Sequence, residues 1–284
     1  MAGVSMKDIK SRIKSMESTR QITKAMEMVA SSKLRGAQER AMASRPYFET
    51  LYRTMHDIAG ANTDLSSVYV QPPRGEKTCF VVIAGDRGLA GGYNSNVLKL
   101  AVSLMQQCDA VVLPIGKKAG EYFKSHNYTV LNDLYPVAEN INAGECYTMA
   151  NSLCGEYKKG TFDKVVLVYT NFVTVLTQEP GSLPLLPLSI VAGGKEKEPR
   201  QMLTTYEPDS VSVFNAIVPE YLGGVIYGAL RESLCSEQAA RRTAMDSATK
   251  NADEMIGDLS LQYNRARQSA ITQEITEIVA GAEQ

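Results

Sequence analysis

The chain has 284 residues, of which 44 % are hydrophobic and 21 % charged, and its formal net charge is −1. That is enough apolar material for one large or two ordinary domains, and it leaves no global charge to draw the chain to nucleic acid or an anionic membrane. The five cysteines (Cys79, Cys108, Cys146, Cys154, Cys235) are odd in number and lack C-x-x-C spacing, which argues against a disulfide framework or a zinc ribbon.

The start of the chain shows neither an apolar leader nor an Arg/Ser-rich transit pattern, as expected of a bacterial protein. No apolar run approaches the ~20 residues that cross a bilayer, so any work at a membrane is expected to rely on a partner that holds the chain there.

The 11 prolines all lie between Pro46 and Pro219. Proline is excluded from helix interiors, so both ends of the chain can be helical throughout. The N-terminal segment is rich in Lys, Met, Ala, Glu, Gln and Arg, and Ser5 is placed to cap it. Ile9, Ile13 and Met16 step by +4 and +3, and Ile22, Met26 and Val29 repeat the step, which predicts the seam of a coiled coil. Gly36 interrupts the pattern, and Pro46 marks a kink before the helix resumes from Tyr47 to Ile58.

The middle reads as α/β. Cys79–Ala84, Ala110–Ile115 and Lys164–Tyr169 are strand-like runs, and Phe172–Thr177 alternates as a fourth. Helical patterns over 95–107, 117–125 and 142–158 separate them, which predicts a mainly parallel sheet. Residues 180–200, with four prolines and a Gly-Gly pair, read as a loop.

The C-terminal segment has a seam of its own at Ile256, Leu259, Tyr263, Ala266 and Ala270, and a second stripe at Ile271, Ile275 and Ile278. At 1.5 Å per residue, helices over 5–58 and 220–284 would span ~80 Å and nearly ~100 Å, against ~30 Å for a small domain. Residues 1–45 hold ten Lys/Arg against four Asp/Glu, and residues 209–284 hold six against eleven. Opposite charge favours their pairing. The expected fold class is therefore α/β: a long antiparallel two-helix coiled coil from both termini (residues 1–58 and 209–284) around a central Rossmann-like α/β domain (residues 75–195).

Signals for catalysis are weak. Gly85-Asp-Arg-Gly-Leu-Ala-Gly-Gly-Tyr-Asn94 follows a strand and precedes a helix, where a phosphate loop would sit. It lacks the Lys-Ser/Thr of a Walker loop and the spacing of a dinucleotide loop, and so reads as a tight structural turn. Asp86 and Arg87 form either a salt bridge or a pair of partner contacts. His56 and His126 are isolated, and Glu274 and Glu277 read as a solvated helix face. No cofactor or metal site is expected.

Three blocks carry a family resemblance: Asp8–Lys14 with Gln21–Lys33, then Gly85–Asn96, and most specifically Tyr263-Asn-Arg-Ala-Arg-Gln-Ser-Ala-Ile-Thr-Gln-Glu-Ile-Thr-Glu-Ile-Val-Ala-Gly-Ala282. Together, in this order, they resemble the gamma chains of F-type ATP synthases over essentially the whole sequence. Ala90 stands where many relatives carry Cys, and the Cys-bearing insert of chloroplast gamma chains is missing, so no thiol switch is expected.

The resemblance implies a central rotor shaft, not itself a catalyst, that couples ion-driven rotation of a membrane ring to ATP synthesis or hydrolysis by others. The implied partners are the alpha and beta subunits, the epsilon subunit and the membrane ring of c subunits, with no nucleic acid and no direct membrane insertion. The implied place is the cytoplasmic side of the cell membrane, peripherally. It further implies that Lys24, Met26, Arg267, Gln268 and Thr272 contact the beta ring, and that Ile271, Ile275 and Ile278 lie in an apolar bearing. Two other readings compete. A non-rotary coiled-coil scaffold accounts for the helices but not for the end blocks. A nucleotide-binding α/β enzyme accounts for the Gly-rich turn but lacks its lysine.

Overall fold

A computed structural model of the chain describes residues 6–61, 66–73, 75–131, 137–188 and 206–282. The chain divides into two compact units, Met1–Ser31 with Arg241–Gln284, and Ser32–Ala240. Two long helices, α1 (Met6–Ala61) and α5 (Ser210–Ala282), contribute to both. The expected fold class holds: an α/β core with long antiparallel terminal helices. Ser5 and most of the expected loop, residues 189–200, lie outside the described residues, as does the side chain of His56.

In the first unit the helices pair antiparallel. Arg20 meets Asp253 at 3.2 Å, and the hydroxyls of Thr23 and Thr249 meet at 2.8 Å. On α5 the seam is as expected, with Ile256, Leu259, Tyr263, Ala266 and Ala270 all partly covered. On α1 the expectation holds at Ile9, Ile13, Met16 and Met26 and fails at Ile22 and Val29. Ile22 and Val29 are more than half exposed, and the seam runs instead through Thr23 and Ala30. Thr23 and Ala30 follow Met16 at steps of +7, and both are small enough for two helix backbones to close. Arg20–Asp253 joins the helices, but Lys24–Glu27 and Lys250–Asp246 are pairs within one helix. Exposed pairs like these contribute little each.

The second unit holds a five-stranded sheet of order β3-β2-β1-β4-β5. Its strands are β1 (Thr78–Ile83), β2 (Ala110–Ile115), β3 (Thr129–Val130), β4 (Lys164–Phe172) and β5 (Gln178–Leu186). All neighbours are parallel except β4 and β5. The helices are α2 (Tyr93–Met105), α3 (Lys117–Ser125) and α4 (Ala143–Lys159). Successive β1 side chains go to opposite faces, and both faces are covered, as parallel sheets require. Phe80 and Val82 pack with Val97 and Ala101 of α2 and Phe123 of α3. Cys79, Val81 and Ile83 pack with Met149 and Leu153 of α4, Met55 and Ile58 of α1, and Phe214, Leu222 and Ile226 of α5.

Three expectations need correction here. Phe172–Thr177 is not a strand: β4 ends at Phe172, and the Thr174 hydroxyl oxygen accepts the Leu176 and Thr177 amides to close a turn. Residues 180–186 are not loop but most of β5, an edge strand, where Pro180 and Pro184 are tolerated because one side of the strand has no ladder to donate to. Pro219 does not bound the last helix. Asp209 caps it, accepting from the Ser212 hydroxyl at 2.7 Å and from the Ser212 amide at 2.8 Å, and these bonds hold the Asp209 carboxyl below its ordinary pKa. Phe214, Val218 and Leu222 are fully buried around Pro219, and that packing overrides one lost helix bond. Pro46 likewise lies inside α1.

Candidate functional site

The Gly-rich turn after β1 is stitched from within. The Asn94 side chain accepts from the Gly85 amide at 2.8 Å and donates to the Arg87 carbonyl at 3.1 Å. The Asp86 carboxylate is not spent on Arg87. It accepts the amides of Lys117 and Ala138 at 3.1 Å and of Glu139 at 3.3 Å, tying the end of β1 to α3 and to the short 3₁₀ turn Ala138–Asn140. A Cβ on Gly85 would lie 2.9 Å from the Glu237 carboxyl carbon, so the loop is pressed onto α5. The Asn94 and Asp86 side chains are thus committed to the fold. Among the described residues, no cluster of three or more His, Cys, Asp or Glu is placed to hold a metal.

The buried thiols are equally inert. Burial pushes the Cys79 and Cys146 thiols up to about 12, and those of Cys154 and Cys235 up to about 11, so none is a nucleophile near neutrality.

What the chain presents instead is surface on its long helices. Lys24 is exposed and reaches Glu27 on its own helix at 2.8 Å, and Met26 is half-buried. Arg267, Gln268 and Thr272 are all exposed on α5, and the Thr272 hydroxyl donates to the Gln268 carbonyl at 2.9 Å. Because Thr23 faces Thr249, the Lys24–Met26 segment lies near residue 249 of α5, roughly 27 Å from Arg267 at the helical rise. The predicted contact residues therefore form two separate levels.

Past these, Ile271, Ile275 and Ile278 are 48 %, 57 % and 70 % exposed, with Val279 beside them at 54 %. Further exposed apolar side chains, Met28, Met255 and Leu261, were not singled out from the sequence. Their signal was available as apolar residues one step off the seam. One stretch of α5 also has the length and composition to cross a bilayer, but half of it is buried in the chain, the pattern of a core helix.

Comparison with known proteins gives the family. A family model described as ATP synthase matches residues 5–284. The ATP synthase gamma chain of Ruminococcus albus is 50 % identical over 96 % of both chains, and that of Alkaliphilus metalliredigens is 44 % identical over 99 % of both. The chain belongs to the ATP synthase gamma-chain family. A Euglena gracilis mitochondrial ATP synthase structure of the OSCP/F1/c-ring assembly contains a chain of the same fold, with a TM-score of 0.64 and 21 % identity over 97 % of this chain and 92 % of that one. As a gamma chain, the protein is a subunit of a membrane-associated complex.

Proposed function

We propose that this gamma chain is the rotating central shaft of a bacterial ATP synthase, coupling ion-driven rotation of the c ring to ATP synthesis or hydrolysis on the alpha and beta subunits, and that it performs no catalysis itself. It sits peripherally on the cytoplasmic side of the cell membrane, held there by the c ring and the epsilon subunit. The single observation that carries this reading is the far end of α5, where four branched apolar side chains from Ile271 to Val279 stand exposed on one helix. An apolar helix end of this kind needs a sleeve. The family likeness supplies one in the alpha/beta ring.

On this reading Ile271, Ile275 and Ile278 form a bearing. Lys24, Met26, Arg267, Gln268 and Thr272 are the contacts through which different faces of the shaft bias successive beta subunits, which is coupling by differential contact. Charge-assisted hydrogen bonds from Arg267 to a beta loop would carry most of that difference. The test is ATP turnover by the reconstituted alpha/beta/gamma complex carrying Arg267→Ala with Gln268→Ala. Assembly should persist and turnover should slow by roughly tenfold. Turnover at the parent rate would remove these residues from the coupling contact.

A further inference from the structure

Within the α/β unit, one short stretch of α5 is buried and polar at once. Among the described residues nine polar or charged side chains are buried, and five of them, Arg231, Ser233, Ser236, Glu237 and Gln238, fall in this stretch. Residues 233–239 are buried without a break, so no face of the helix meets water there. Apolar side chains would fill such a place at less risk, because every buried polar group must find a partner.

The partners are backbone atoms at the end of the sheet. The register of β1 with β4 ends at Val82 and Val168, short of Thr170. Ser233 Oγ accepts the Thr170 amide at 3.1 Å, and the Ser236 hydroxyl donates to the Thr170 carbonyl at 3.3 Å. The two serines thus stand where a neighbouring strand would continue the ladder. The strand order turns at β1, with β2 on one side and β4 on the other, and the crevice beyond the strand ends at such a point is where open α/β sheets hold ligands. Here α5 fills it. A Cβ on Gly85 would lie 3.0 Å from Glu237 Oε1 and 3.2 Å from Asn94 Oδ1, so the Glu237 carboxylate is wedged against the Gly-rich turn. Arg231 leaves the helix on roughly the opposite side from Ser233. Its Nη2 donates to the Ile141 carbonyl at 2.7 Å, and its guanidinium lies over the Tyr227 ring.

We propose that Arg231, Ser233, Ser236 and Glu237 are positioning residues that fix the rotational register of α5 against the sheet, so that this part of the helix turns only when the sheet turns. Apolar packing buries a helix but tolerates neighbouring arrangements, and a core loses uniqueness before it loses stability. Directed bonds leaving two sides of the helix, to Thr170 and to Ile141, select one angle. α5 runs on as one helix to Ala282. On the shaft reading above, on which this inference rests, the register lock is what passes torque between the sheet and the shaft helix.

The test uses the complete ATP synthase in sealed vesicles, driven by ATP, with turnover and membrane potential (from a voltage-sensitive dye) read in the same sample. Ser233→Ala with Ser236→Ala removes both bonds to Thr170 and keeps good helix formers. Turnover per assembled complex should stay within about twofold of the parent, while charge moved per ATP falls by about threefold or more as the potential builds, because a helix with several registers slips under load. Val218→Ala removes fully buried apolar packing from the same helix in the same unit. It should lower the yield of assembled complex and leave charge per ATP unchanged. Parent charge per ATP in the serine variant, or an equal fall in Val218→Ala, would overturn the proposal. If the double variant does not assemble, Ser236→Ala, which leaves the Thr170 amide bonded to Ser233, carries the same two outcomes. A parent complex that turns over ATP without building a potential would instead overturn the shaft reading, so the two can fail separately.

Discussion

The two units of this protein solve the burial problem in opposite ways. In the α/β unit, Val81, Val82, Val112, Ile115, Leu167 and Phe214 are essentially unexposed, and the polar side chains near the Gly-rich turn bond to the chain's own backbone. In the coiled-coil unit, Ile22, Val29, Met255, Leu261, Ile271 and Ile275 are about half exposed or more, although each is as apolar as a core residue. The α/β unit buries a core on both faces of its sheet, although Leu89 and Leu176 stand exposed on it at 65 % and 81 %. The other leaves a run of apolar side chains open along its helices, the kind of surface that marks an interaction site.

The difference sets an order of expected effects on the stability of the isolated chain. Gly116→Ala should be the most damaging change. Gly116 has φ +92° where it leads from β2 into α3, and a Cβ there would lie 2.0 Å from the Ala84 carbonyl oxygen. The strain and the clash together predict a loss of about 3 kcal/mol or more. Urea denaturation followed by circular dichroism checks it; an unchanged midpoint would mean the α/β unit tolerates repacking that its geometry forbids. Asn94→Ala should come next. It strands the Gly85 amide and the Arg87 carbonyl, for about 1–3 kcal/mol, and Asn94→Asp should recover the bond from the Gly85 amide but not the one to the Arg87 carbonyl.

The closed unit was also the easier one to read. Period-2 and continuous apolar runs identify β1, β2 and β4 because both faces of a parallel sheet must be apolar. The edge strand β5 escaped notice because Pro180, Gly181 and Pro184 are turn residues everywhere except at an edge. Pro219 falls inside α5 because a buried cluster at Phe214, Val218 and Leu222 outweighs it, and tertiary packing of that kind leaves no local mark. In the coiled coil the periodicity was legible and the choice of face was not. Ile22 and Val29 have the right spacing and the greasier side chains, yet Thr23 and Ala30 form the contact, since close helix approach selects small residues over apolar ones. The Thr23–Thr249 hydroxyl pair was hidden for the same reason. No spacing in this chain encodes what residues outside the seam touch.

Ile22→Ser and Val29→Ser should have the smallest effect on the isolated chain, and they sharpen the comparison most. Both side chains are exposed, at 58 % and 57 %, so little buried apolar surface is lost on replacing them. Serine has slightly better helix propensity than valine and a similar one to isoleucine. The expected change in stability is within about 0.5 kcal/mol, the range of ordinary surface substitutions. Assembly is a different matter. If this stripe is covered by the alpha/beta ring, a hydroxyl placed there is desolvated without a partner, and the apolar contact is lost as well. Co-purification of the double variant with alpha and beta subunits, or ATP turnover of the complex it forms, should therefore fall while urea and thermal midpoints of the free chain stay put. A variant that lowers free-chain stability would show that Ile22 and Val29 are core residues after all. One that changes neither stability nor assembly would leave the stripe solvated in the complex, and the unit's exposed apolar surface would then need an explanation other than the ring.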